Sequence, residues 1–324
     1  MMARLVSWPR RWLARADQRH WAVLFALGFA LVWSLVEVLV TRLYQAYSLV
    51  QVEAVRFGVQ ALLMLLLWPG RRDGPAGGWR LWHTRRPLLQ LLRGLSMLAL
   101  PFAFAAAVYG GVSIPLTLSG LWVAPLFALG LAALFLRDRA SPLLWGMALA
   151  GLGAVVLLLA PGRPGSPLAL LMPLAAGLAL AAYLALTRVL RDEPVQTGLF
   201  WVAAVALVVL APFLPGVWVT PGLRDSLLLA GIGVFGYLTL WLLDQALRRW
   251  SVSHIAPLLY THVMVLHWVP SLLQGQRPSL RLLLASAVIG LVVLFIWWRA
   301  SVRRHRRAQG GVPDSLLSAP VPLH

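Results

Sequence analysis

The 324-residue sequence contains no cysteine and no lysine, and only ten acidic residues. Without cysteine there is no disulfide, no thiolate metal site and no cysteine nucleophile. Without lysine there is no Gly-x-x-x-x-Gly-Lys phosphate loop, which excludes nucleotide hydrolysis by that route. Charged residues make up 12% of the chain, against roughly 25% in a soluble domain. Hydrophobic residues make up 60%, and the mean hydropathy is +0.80. A chain this apolar would expose large sticky patches in water, so a cytosolic enzyme is excluded. Neither Gly-x-Ser-x-Gly nor His-Glu-x-x-His occurs, and no two histidines flank an acid at ligand spacing. No catalytic residue, cofactor or metal is therefore expected, and an intramembrane enzyme is disfavoured.

What the chain does have is long apolar runs between short polar breaks. A bilayer core of about 30 Å needs roughly 20 apolar helical residues. Runs of that length fall near 21–40, 49–68, 88–108, 112–135, 143–160, 168–187, 197–215, 227–247, 253–273 and 280–298. Barrel strands alternate in polarity, whereas Leu149–Ala160 is continuously apolar, so the spans are helices. The first is too long for a signal-peptide core and lacks a clear cleavage site, so it is expected to be retained.

All 28 basic residues are arginine, giving a net charge of +18. Their placement decides between a nucleic-acid face and a membrane orientation. With the N-terminus inside, the inner segments hold 21 arginines and the outer segments hold Arg42, Arg163, Arg224, Arg277 and Arg281; Arg56 and Arg93 lie within spans. This asymmetry predicts both termini in the cytoplasm, because arginine-rich loops resist translocation. It makes membrane lipids the partner of the basic residues and disfavours nucleic acid.

Two echoes suggest an internal repeat. Thr41-Arg42-Leu43 closes the first span and Thr187-Arg188-Val189 the sixth, 146 residues apart. Asp138-Arg139-Ala140-Ser141 follows the fourth span and Gln276-Arg277-Pro278-Ser279 the ninth, 138 apart. Since five is odd, the second half crosses the membrane in the opposite sense. The expected organisation is an all-α membrane protein of ten transmembrane helices in two inverted five-helix repeats. Its parts are a cytoplasmic tail 1–20, a first repeat 21–162, a second repeat 163–300, and a cytoplasmic tail 301–324 rich in Gly, Pro and Ser, expected to be disordered. A site between inverted halves has two nearly equivalent ways to open, the basis of alternating access.

Several stretches carry a family likeness. They include Arg56, Leu91-Leu92-Arg93-Gly94, Pro115, Ala124-Pro125 ahead of Leu136-Arg137-Asp138-Arg139, Gly151-Leu152-Gly153 and Ala160-Pro161-Gly162. In the second half they include Tyr183, Ala211-Pro212-Phe213, Trp218 and Ser253-His254-Ile255-Ala256-Pro257-Leu258-Leu259-Tyr260-Thr261. Over 21–300 the chain resembles the drug/metabolite transporter superfamily, EamA type, with two tandem EamA-like halves. The resemblance implies a ten-helix inner-membrane transporter of small metabolites, often an exporter. Two departures stand out. Arg137-Asp138 and Gly275-Gln276 stand where the family commonly has Gly-Glu, and His262 follows Tyr-Thr where Gln is usual.

Charge inside a bilayer costs roughly 2.5 kcal/mol or more per residue on insertion scales, so embedded polar groups are the candidate site. Glu53 and Arg56 are three residues apart on one helical face, and Arg56 calls for Glu53 or Glu37 as a partner. Arg56 then either anchors an anionic group or staples two spans. Glu37 either binds an ammonium group or a proton, or reaches the outer interface. Arg93 and Asp244 are expected to snorkel to the inner surface. His262, at mid-span near Tyr260, either couples transport to protons or rests as a neutral ring on a neighbouring hydroxyl. Trp33, Trp122 and Trp241 fall within spans and could line a cavity, whereas Trp12, Trp79, Trp82, Trp250, Trp297 and Trp298 fit interfacial belts. The substrate-binding set is thus Trp33, Glu37, Glu53, Arg56, Trp122, Tyr260 and His262. Prolines 125 and 257 should open helix backbone within spans. The small-residue stretch Ala150–Ala154 permits close helix contact or a homodimer face. The expected function is export of an amino acid or related solute. The alternatives are a lipid flippase or a membrane scaffold of the same fold.

Overall fold

In the computed structural model the described residues are 18–67, 81–138, 140–160, 162–273, 275 and 277–309, the side chains of 270, 273 and 302–309 excepted. Expectations resting on Arg4, Arg10, Arg11, Trp12, Arg15, Arg71, Arg72, Trp79, Arg80, Arg139, Pro161, Gln276 and the side chains of Arg303, Arg304, Arg306 and Arg307 lie outside them. So does most of each tail.

The chain forms α1 (Gln18–Leu43), α2 (Leu49–Leu67), α3 (Pro87–Tyr109), α4 (Ile114–Phe135), α5 (Pro142–Leu159), α6 (Leu171–Val189), α7 (Val195–Val217), α8 (Leu223–Arg249), α9 (252–273) and α10 (Leu280–Gln309). Among the described residues there is no strand, and nine of these helices have the length and apolarity to cross a membrane. The exception, α9, is interrupted: a turn at Val252–Ile255 passes into a 3-10 stretch, Ala256–Tyr260, before Thr261–Leu273. The hydropathy spans and the helices agree to within a few residues. At the C-terminal end, α10 continues past residue 300 to Gln309.

Helices α4 and α9 break in the same way. Helix α4 divides into Ile114–Leu121 and Ala124–Phe135, the second part opening on Ala124-Pro125; the 3-10 stretch of α9 opens on Ala256-Pro257. A proline has no N–H to bond the preceding turn and clashes with it, so each Ala-Pro ends one helical segment and starts another.

The packing follows one rule of exchange. If α1–α5 are matched in order with α6–α10, the contact of α1 with α8 becomes that of α6 with α3, and these are the two most extensive in the molecule. In the same way α1–α9 maps onto α6–α4, α2–α8 onto α7–α3, and α4–α5 onto α9–α10, while α2–α7 and α5–α10 map onto themselves; all are observed. Backbone geometry repeats too. Arg137 after α4 has φ 53° and Gly275 after α9 has φ 63°, both left-handed and 138 residues apart. The fold is therefore two inverted five-helix repeats. The arginine at 137 occupies a conformation that suits glycine. Asp138 next to it accepts hydrogen bonds from the Ser253 N–H (3.2 Å) and Ser253 Oγ (2.9 Å), capping the start of α9 from the opposite half.

Close approach of helices depends on small residues. At Gly151 an added Cβ would stand 2.3 Å from the Tyr260 ring, so this glycine lets α5 close on α9. Trp250, expected in an interfacial belt, is instead buried and stacks on His254 with centroids 4.3 Å apart. Trp82 and Trp298 are exposed as expected.

Candidate functional site

A cavity of about 680 Å³ lies among α1, α2, α3, α4 and α9. Along α3 its lining runs from Met97 to Tyr109, about 18 Å of helix. Tyr109 and Ile114, both strongly exposed, and the turn residues 44–48 form its mouth; Trp33, Trp122 and His262 lie deeper. The cavity therefore opens at the end of the bundle that carries the α1–α2 and α3–α4 turns.

Six of the seven residues picked out from the sequence line this cavity: Trp33, Glu37, Glu53, Arg56, Trp122 and His262. Tyr260 does not. Its ring sits behind Trp122, centroids 6.2 Å apart, against Gly151. Trp241 packs edge-on against Phe25 away from the cavity.

The polar lining divides into two groups. On α2, Arg56 Nη1 stands 3.2 Å from Glu53 Oε2, and the Tyr44 hydroxyl donates to Glu53 Oε1 at 3.0 Å. Of the two partners considered for Arg56, the structure selects Glu53. Burial, followed by the adjoining Glu53 carboxylate, raises the Tyr44 phenol well above its ordinary range, so it remains a neutral donor. Arg56 lies across Gly236 of α8, where an added Cβ would come 2.8 Å from Nε. Tyr44 falls just past the end of the hydropathy span; only its nine-residue distance from Glu53 hinted at a link.

In the second group, Glu37 Oε2 stands 3.0 Å from His262 Nε2, but not in hydrogen-bond alignment, and neither imidazole nitrogen has a hydrogen-bond partner. The ring is held by its neighbours: Trp33 at 4.4 Å and Trp122 at 5.2 Å between centroids. Ser34 donates to the His262 carbonyl at 3.1 Å, fixing the α9 backbone against α1. Trp122 Nε1 and Tyr260 OH are also buried without a partner. Buried polar atoms are rarely left so, and a cluster of them around a cavity marks a place for a polar ligand.

The opposite end of the bundle is closed. Arg93 and Asp244, expected to snorkel, are each 1% exposed and bonded to one another. Arg93 Nη2 donates to Asp244 Oδ1 and, at 3.0 Å, to the Tyr183 hydroxyl, joining α3, α6 and α8. An added Cβ at Gly198 of α7 would meet Arg93 Nη1 at 2.3 Å, so that helix completes the enclosure. Snorkelling loses because two facing helices, α6 and α8, supply the partners that water would otherwise provide. Just beyond, Arg188 donates to the Leu247 carbonyl at 2.6 Å, and Arg248 to the carbonyls of Arg191 and Glu193. These arginines thus satisfy backbone carbonyls at the end of α8 and in the α6–α7 loop. Among the described residues no group of three metal-ligating side chains occurs.

Residues 20–160 match the EamA-like transporter family. The chain is similar to a riboflavin transporter of Vibrio cholerae, 25% identical over 290 residues, covering 88% of this chain and 95% of that protein. It is also similar to S-adenosylmethionine uptake transporters of Rickettsia bellii (28% identical, 66% of this chain and 73% of that protein) and Rickettsia felis (28%, 68% and 76%). A crystal structure aligns over 87% of this chain and 99% of its own with a TM-score of 0.74 at 19% identity, which speaks for the fold. Residues 20–160 thus carry the likeness to the EamA-like transporter family, and nine long apolar helices among the described residues make the chain a multi-pass membrane protein.

Proposed function

We propose that this chain is an EamA-type secondary transporter that carries a small metabolite across the cell's inner membrane by alternating access. The observation that carries the reading is a cavity open at one end of the bundle, lined by unpartnered polar groups, opposite a closed seal of Arg93, Asp244 and Tyr183. Along α3 the seal and the mouth are 16 residues apart, about 24 Å. A solute in the cavity thus has access from one side only.

The arginine asymmetry supports a mouth facing outward and both termini in the cytoplasm. The repeats are taken as 21–162 and 163–300. Because the most extensive interfaces have counterparts under exchange of halves, rocking one half against the other gives an inward-open state of similar packing. Uptake, in the names of the Rickettsia relatives, and export, suggested by the family resemblance, use the same two states; the gradient sets the direction. Riboflavin and S-adenosylmethionine, each named for a relative, are the first solutes to try, with amino acids beside them.

Counterflow in proteoliposomes tests the reading. Preloaded unlabelled solute should accelerate saturable entry of the same labelled solute. Scrambling of labelled lipid with no solute movement would replace this reading by that of a flippase. Inertness in both assays would leave a scaffold.

A further inference from the structure

We infer that the cavity is selective for a flat organic cation, with Glu37 meeting the positive charge and the indole of Trp33, backed by the buried Trp122, meeting the ring. The inference rests on the transport reading only in taking this cavity as the substrate site.

The charges of the lining lead to it. Its charged residues are Glu37, Glu53 and Arg56, with His262 as the remaining titratable base. Arg56 and Glu53 neutralise one another at 3.2 Å, and Tyr44 takes up the second oxygen of Glu53. Glu37 has no such partner. Its side chain is 29% exposed, and among the described residues its one ionisable neighbour within bridging distance is His262, which offers charge only when protonated. With the imidazole neutral the cavity carries one uncompensated negative charge. A carboxylate at membrane depth needs a counter-charge, and a cationic solute supplies it.

The shape of the recess narrows the class of cation. Trp33 and Trp122, centroids 5.8 Å apart at 46°, form an aromatic wall with His262 beside Glu37. Indole is the strongest natural cation–π surface, and it also stacks on any flat ring. The volume of about 680 Å³ fits a ring-bearing metabolite, within the range of roughly 300–1,000 Å³ for small-molecule sites. An anion would have to take Arg56 from Glu53, leaving that carboxylate buried and unpaired, so anions should be excluded.

Three ligands of one shape and three charges provide the test: 1-methylnicotinamide (cation), nicotinamide (neutral) and nicotinate (anion). Each is titrated calorimetrically into the purified full chain in detergent at one pH. The cation should bind about tenfold or more tighter than the neutral amide, and nicotinate weakest. Glu37→Gln should remove the cation's advantage while leaving nicotinamide binding in place, which also reports an intact fold. Trp33→Leu should weaken cation and amide together. Equal affinities, tightest binding by nicotinate, or no binding by the cation would overturn the inference. Since binding is read without transport, failure of counterflow alone would count against the transporter reading and not against this one.

Discussion

Arg93 on α3 donates to Asp244 on α8 across the end of the bundle opposite the cavity mouth, a contact between residues 151 apart in sequence. Removing one member leaves a buried charge without its partner. Asp244→Asn is expected to cost about 3–5 kcal/mol, whereas Arg93→Met with Asp244→Leu should recover most of that loss. Thermal melting in detergent distinguishes the two. If the pair also holds this end of the bundle closed, the double variant should react faster with a thiol reagent at Thr187→Cys, a buried position on the facing helix α6; the cysteine-free chain gives that assay no background.

Glu53 and Arg56 are neighbours on one helix, so their pair can form before α2 packs. Either Arg56→Gln or Glu53→Gln should lower the melting temperature, and the two together should lower it less than the sum. If Arg56 instead holds the substrate, Arg56→Gln stops counterflow with normal melting and membrane expression.

Arg137 adopts φ 53°, a conformation that costs a side-chain-bearing residue roughly 1–2 kcal/mol. Arg137→Gly should therefore raise stability by about 0.5–1 kcal/mol, the larger freedom of glycine in the unfolded chain offsetting part of the gain. An unchanged or lowered melting temperature would mean that the arginine side chain contributes more than its backbone costs.

Glu193, in the loop between α6 and α7, accepts hydrogen bonds from Thr84 Oγ1, the Gln90 amide and the Arg85 N–H. Burial pushes its carboxyl up, but these donors outweigh burial and hold it below its ordinary value. A depressed value means stability that is present above the unfolded carboxylate range and lost as pH falls through the folded one. Wild type should thus exceed Glu193→Gln in melting temperature at pH 6–7, by no more than about 1 kcal/mol in stability given the solvent screening of this partly exposed carboxylate, and the gap should close below about pH 4.

Much of the site was legible because bilayer insertion makes polar residues conspicuous. Within ten apolar spans few charges remain, and Glu37, Glu53, Arg56, Trp33, Trp122 and His262 do share one cavity. Tyr260 faces away from the cavity because it closes the 3-10 stretch of α9, which shifts the face it presents. Trp250 was misread because the pull of an interface on an indole is weaker than a stacking partner four residues away. Tyr44 and Tyr183 went unnoticed as partners of Glu53 and Arg93, since neither carries a charge that hydropathy would flag.

The amino-acid order by itself determined ten helices, the alternation of their direction and the inverted relation of the halves. Each follows from local quantities: apolar run length, arginine in the breaks, and an odd number of spans. Which charge meets which was decided only by the tertiary structure. Arg93 finds Asp244 and Tyr183 while Glu37 is left facing the cavity with a histidine, because helix crossing and glycine-permitted approach, not spacing along the chain, bring those atoms within reach.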